Sequence, residues 1–171
     1  GTLALGAADT TGYDNTGIGR KAGDALTSGQ YNVAMGKDAL GASTSGCFNV
    51  AIGTVALGTG VATGSDNISI GQHSLKVMTT GVNNIAIGQD ALCATTCGSE
   101  NTAVGRRALE LSNAASNNNA AFGADAGANV TTGDANSYLG REAGANSEVN
   151  TTTQSGIIAR GNHQSTVFYD T

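Results

Sequence analysis

The chain has no proline and no tryptophan, and aromatic residues make up only 4% of it. A core built on rings is thereby excluded, and burial falls to Ala, Val, Ile and Leu. Charge is sparse too, at 12% of residues. Disorder usually carries charge and proline rather than regularly spaced aliphatics, so this polar composition does not read as disorder. Lys and Arg number 8 against 13 Asp and Glu, a net charge of −5. Nucleic-acid recognition needs a dense basic face, and this balance argues against it. No window approaches the roughly 18 apolar residues of a membrane-spanning helix, so no membrane insertion is expected. No basic-then-apolar signal segment opens the chain. It begins at Gly1 rather than methionine, as a piece of something longer would.

Cysteine is scarce: Cys47, Cys93 and Cys97. An odd number outside a disulfide-rich composition reads as free thiols made in a reducing compartment. Pairing of Cys93 with Cys97 is the alternative, and a single C-x-x-x-C is a weak zinc signal. His73 and His163 have no companions at ligand spacing, so neither metal nor cofactor is expected. The nucleophile-elbow, zincin and phosphate-loop patterns are all missing. Asp38, Asp90, Asp125 and Glu142 share one repeat position, which makes them surface punctuation rather than the facing carboxylates of a glycan-cleaving enzyme. The expectation is a protein that is not an enzyme.

What the chain has in quantity is glycine, 26 residues of it, in strict period. An anchor glycine recurs as Gly19, Gly36, Gly53, Gly71, Gly88, Gly105, Gly123 and Gly140, in steps of 17, 17, 18, 17, 17, 18 and 17. Four places before each stands an asparagine: Asn15, Asn32, Asn49, Asn67, Asn84, Asn101, Asn119 and Asn136. One place before is a bulky apolar residue, and three places after is Ala or, at Ser74, serine. The next position is Leu40, Leu57, Leu75, Leu92 or Leu109, replaced by Gly23, Gly127 and Gly144 toward the ends. A Ser/Thr-Gly pair usually follows, and Thr2 to Gly6 reads as a degenerate leading copy.

Seventeen residues is too short for helical repeats and below the leucine-rich range, and a glycine every few residues disfavours helices. One turn of a β-solenoid fits: a short strand, a bend at glycine, a second short strand and a turn back. Stacked coils place like residues about 4.8 Å apart, so an asparagine column can bond amide to amide along the stack. The repeat region spans 1–144, with a cap or transition segment at 145–171. That segment carries Phe168 and Tyr169 together, a candidate receptor-binding tip.

Residues in a strand alternate between faces. The positions one and three before the glycine, such as Val50 and Ile52, are expected to fill the coil. The position between them should then point outward, yet it is Ala34, Ala51, Ala86, Ala103 and Ala121. A small apolar outer column predicts a seam between copies of the chain, and homo-oligomerisation. The two positions after each anchor glycine vary most, which marks an exposed corner able to contact a receptor. Arg106, Arg107, Arg141 and Glu142 are the candidates there. The sequons at Asn67, Asn129 and Asn150 are expected by chance in an Asn/Thr-rich chain. Threonines at Thr79-Thr80, Thr95-Thr96 and Thr131-Thr132 hint at a monomeric ice-binding face, without a continuous column.

The phrase N-x-A-φ-G-x-x-A-L, held in register from Asn15 to Gly144, resembles the β-roll repeats in the heads of trimeric autotransporter adhesins. It resembles more closely the related repeats of phage tail fibre proteins, where the period is longer. The resemblance implies an all-β fold: left-handed parallel β-rolls of about eight coils of 17–18 residues, three chains side by side in a homotrimer. It implies a structural and receptor-binding segment of a tail fibre, assembled in host cytoplasm, that meets a host cell-surface polysaccharide or protein receptor. A C-terminal self-cleaving chaperone is common in such fibres. The alternative is an autotransporter head on a bacterial cell surface, which three cysteines fit poorly because the periplasm oxidises thiols.

Overall fold

The computed structural model describes residues 5, 11–113 and 116–145, and, as backbone, the strands at 155–160 and 164–169. Among these residues there is no helix. Eight short parallel strands stack in chain order: β1 (Thr16–Ile18), β2 (Val33–Met35), β3 (Val50–Ile52), β4 (Ile68–Ile70), β5 (Ile85–Ile87), β6 (Thr102–Val104), β7 (Ala120–Phe122) and β8 (Asn136–Leu139). The chain is a parallel β-solenoid of about seven turns. Register is set by the repeat, with Val33 opposite Val50 and Ala86 opposite Ala103. β9 (Ser155–Arg160) pairs parallel with β8, and β10 (Gln164–Tyr169) folds back antiparallel on β9.

The expected second strand of each coil is absent. The residues after the anchor glycine form turns whose amides bond to the neighbouring coil, as Leu40 N–H does to the Ala56 carbonyl at 2.9 Å. The backbone there is left-handed at two positions per coil, for example Asp38 (φ 55°) and Leu40 (φ 50°). A left-handed leucine is strained, but Leu40, Leu57, Leu75, Leu92 and Leu109 are all sealed from solvent. The requirement for positive φ explains why leucine exchanges with glycine at this position, as at Gly127 (φ 60°). The anchor glycines are held by close approach as well: a Cβ on Gly36 would lie 2.6 Å from the Gly53 carbonyl oxygen.

The strand faces are reversed relative to the sequence expectation. Ala34, Ala51, Ala86, Ala103 and Ala121 point into the coil and are buried, so they form no interchain seam. They meet the second alanine column, Ala39, Ala56, Ala91, Ala108 and Ala126, across an interior only wide enough for methyl groups beside the leucines. One coil carries serine in both columns. Ser69 and Ser74 lie 2.6 Å apart, oxygen to oxygen, and each buried hydroxyl also reaches a backbone carbonyl, Ser74 O for Ser69 and Gly71 O for Ser74.

The ends are filled differently. Leu5, whose N–H bonds to the Ala22 carbonyl, occupies the leucine column one coil ahead of Gly23. Its side chain fills the space that Cβ atoms on Gly17 and Gly23 would enter. Leu5 thus takes the place that Leu40 holds in its own coil. At the other end Tyr138 stands in the inward alanine column, and its ring takes the room beside Gly127.

A ladder of asparagine amides runs up the stack. Asn32 donates its backbone N–H and its Nδ2 to Asn15 Oδ1, both at 3.0 Å, and Nδ2 also donates to the Gly46 carbonyl at 2.8 Å. The same pattern continues to Asn136, which donates twice to Asn119 Oδ1 at 3.0 Å. From Asn32 to Asn136 these side chains are buried.

Candidate functional site

With alanine inside, the bulky residues of the strands face out. Ile18, Met35, Ile87, Phe122 and Leu139 are between 37% and 54% exposed. Ile52, Ile70 and Val104 in the same column are half-buried, as are Val33, Val50, Ile68 and Ile85 in the column beside it. The result is an apolar column roughly 35 Å long along the stack, from about 4.8 Å per coil. It widens to about 10 Å across from β2 to β5, at about 3.3 Å per strand residue, where Thr16, Thr102 and Ser137 do not interrupt the second column. Patches of several hundred Å² on a soluble chain mark contact surfaces. Sequence reasoning found these residues but set them on the wrong side of the sheet.

At the variable corner the candidate residues are engaged in ion pairs within the chain. Arg106 Nη2 lies 2.6 Å from Asp125 Oδ2 in the next coil. Arg107 Nε lies 2.6 Å from Glu110 Oε2, and its Nη1 is 3.6 Å from Asp125 Oδ1. The Glu110 carboxylate holds the Arg107 guanidinium above its usual value. The most basic spot in the sequence is thus two cations matched by two carboxylates. Arg141 contacts the adjacent Glu142 at 2.7 Å, and His73 Nδ1 meets Asp90 Oδ1 at 3.2 Å. The second corner residue is left-handed in every coil, a conformation Asp tolerates better than most residues, which accounts for Asp38, Asp90 and Asp125.

A threonine column is longer than the sequence suggested. Thr27, Thr44, Thr79, Thr96 and Thr131 align eight places after the anchor, interrupted by Val61 and Asn113. Thr27 Oγ1 donates to the Thr44 carbonyl at 3.0 Å and Thr79 Oγ1 to the Thr96 carbonyl at 2.9 Å, so these hydroxyls are engaged along the stack. Cys47, Cys93 and Cys97 are all free. Burial, with the Asp90 charge, pushes the Cys93 thiol up, whereas hydrogen bonds from Thr80, Thr79 and Thr96 bring Cys97 below the usual range.

Among the described residues no group of three or more His, Cys, Asp or Glu is placed to hold a metal ion. Of the sequon asparagines, Asn67 is buried in the ladder, Asn129 is exposed, and Asn150 lies outside the described residues, as does His163. Phe168 pairs with Gly156 and Tyr169 with Ser155 in the β9–β10 hairpin; their side chains lie outside the described residues. No protein-family model, curated protein or solved structure matches the chain.

Proposed function

We propose that this chain is a structural, host-surface-binding segment of a trimeric fibre of the phage tail type. Three left-handed solenoids lie parallel, with their aliphatic sheet faces turned to a common axis. The supporting observation is the outward column from Ile18 to Leu139, apolar in all eight coils, on an otherwise polar chain. Water contact along such a face costs roughly 25 cal/mol per Å², which association recovers. The number three and the winding sense come from the resemblance to fibre β-rolls. In this reading the protein works mechanically. A stiff rod carries three equivalent weak sites, and their linkage raises effective affinity. An autotransporter head would use the same face; the three free thiols favour assembly in a reducing cytoplasm.

Light scattering at low micromolar concentration tests the reading. A mass three times the chain's 16.8 kDa supports it. Replacing Ile52, Ile70 and Ile87 together by serine should return the mass to that of one chain. A monomeric parent would overturn the trimer, and thermal hysteresis of that monomer would favour the ice-binding alternative suggested by the threonine column.

A further inference from the structure

The chain has only seven aromatic residues, four Tyr and three Phe, and three of them gather on one exposed edge of the first coils. Tyr31 and Phe48 stack with ring centroids 4.9 Å apart and planes 9° from parallel. Tyr13 meets Tyr31 edge-on, 5.5 Å away at 83°. All three rings remain between 43% and 54% exposed.

The fold does not ask for rings here. Tyr31 and Phe48 stand immediately before the ladder asparagines, a position that is left-handed in every coil, with φ of 57° at both. That conformation is strained for bulky residues, while Asn and Asp adopt it routinely. Other coils carry Asp14, Asp66, Asn83, Glu100, Asn118 and Ala135 in this place, four of the six being Asn or Asp. The two rings therefore accept strain without the burial that offsets it for the interior leucines.

We propose that Tyr13, Tyr31 and Phe48 form a platform for a neutral glycan, with a pyranose ring laid on the free face of Phe48. This rests on the surface-binding part of the reading above and assigns it a location away from the charged corner. Phe48 ends the ring stack, since the column continues with exposed Asp66. The electron-rich face of an aromatic ring attracts partial positive charge, which the C–H face of a pyranose supplies. Sugar hydroxyls need hydrogen-bond partners at the margin. The Tyr13 and Tyr31 phenols stand together there, their mutual hydrogen bond holding the Tyr31 hydroxyl above its usual value. Gln30 and the exposed carboxylates Asp14 and Asp66 flank the stack in sequence and along the column. Those carboxylates repel uronic and sialic acids and so select a neutral chain. A cationic ligand would want converging ring faces, whereas Tyr31 and Phe48 turn faces on each other. A second copy of the chain fits poorly, because a seam along the rod must be apolar in every coil, and this column turns to Asp66, Asn83, Glu100 and Asn118.

The test is native-gel migration of the chain through dextran, pullulan or galactomannan, with polygalacturonate as the acidic counterpart. Retardation is expected in at least one neutral polymer and not in polygalacturonate. Phe48→Asn, which other coils show to suit the backbone, should weaken that retardation at least tenfold, and Tyr31→Asn should do likewise. Absence of retardation in all three neutral polymers, retardation by polygalacturonate alone, or binding unchanged in both variants overturns the proposal. So does a fall in assembled mass for Phe48→Asn, which would make the rings an interchain contact. A monomeric parent that still binds neutral polymer through Phe48 would sink the trimer and leave this site standing.

Discussion

The inner and outer faces of the same strands carry opposite size preferences. Inside, the column reads Ala34, Ala51, Ser69, Ala86, Ala103 and Ala121; outside, one residue further on, it reads Met35, Ile52, Ile70, Ile87, Val104 and Phe122. An isolated sheet protein buries its large residues. Here the coil is so narrow that from β2 to β7 the inner face of the strands carries only methyl groups and a hydroxymethyl, and the large residues are left for contact with something else. Interior volume, rather than hydrophobicity alone, decides which side of this sheet a residue occupies.

Reversing the sizes at neighbouring positions is the severest way to break that contrast. Ala86 is wholly buried and its column neighbours are Ser69 and Ala103, so Ala86→Leu should destabilise the chain by about 3 kcal/mol or more through overpacking. Ile87→Ala, one residue away, should cost only about 1 kcal/mol in the separated chain, because its side chain is already 37% exposed. The same Ile87→Ala variant should also lower the melting temperature of the assembled protein and make it less dependent on concentration, since weaker association leaves fewer chains in the complex. Urea unfolding monitored by circular dichroism at two protein concentrations separates the two effects. Equal losses for the two variants would mean that the faces are not distinguished by packing.

The serine pair refines the account of the interior. Ser69→Ala or Ser74→Ala alone should cost at most about 1 kcal/mol, since each removes the 2.6 Å bond between the hydroxyls while the one that remains still donates to a backbone carbonyl, Ser74 O for Ser69 or Gly71 O for Ser74. The double variant restores the two-alanine arrangement of the neighbouring coils and should cost no more than either single change. A thermal double-mutant cycle would detect that coupling, and simple additivity would contradict it.

The repeat, the anchor glycines and the solenoid class were legible because each imposes one residue type on a fixed register. The facing of the strands was not. Alternation tells which residues share a face, but not which face is inside, and size alone points the larger residues inward. The corrective signal lay in paired exceptions: Ser69 with Ser74, and Tyr138 with Gly127, change together because they touch across the coil. Exchange of leucine with glycine at Gly23, Gly127 and Gly144 likewise marked a left-handed position rather than a second strand. The aromatic stack leaves no such signal, because its members fall outside the repeated phrase: Tyr31 and Phe48 share a column with Asp14, Asp66, Asn83, Glu100, Asn118 and Ala135, and Tyr13 stands in the column before it.

The last contrast concerns the one large residue on the inner face. Tyr138 is 1% exposed, and its hydroxyl has no hydrogen-bond partner among the described residues. Burial pushes its phenol up to about 12, whereas an unfolded tyrosine titrates near 10. The neutral ring is thus preferred in the folded chain. Above about pH 10 the unfolded chain loses its proton first, and stability held below that pH is lost as pH rises toward about 12, by roughly 2 to 3 kcal/mol. Tyr138→Phe keeps the ring that fills the space beside Gly127 and removes the stranded hydroxyl. It should raise stability by roughly 1 kcal/mol at neutral pH and flatten the alkaline loss relative to the parent. Paired thermal melts at pH 7 and pH 11 read both effects. A destabilised Tyr138→Phe chain would mean that the hydroxyl is bonded after all, and that the coil end is wider and wetter than the alanine-lined middle.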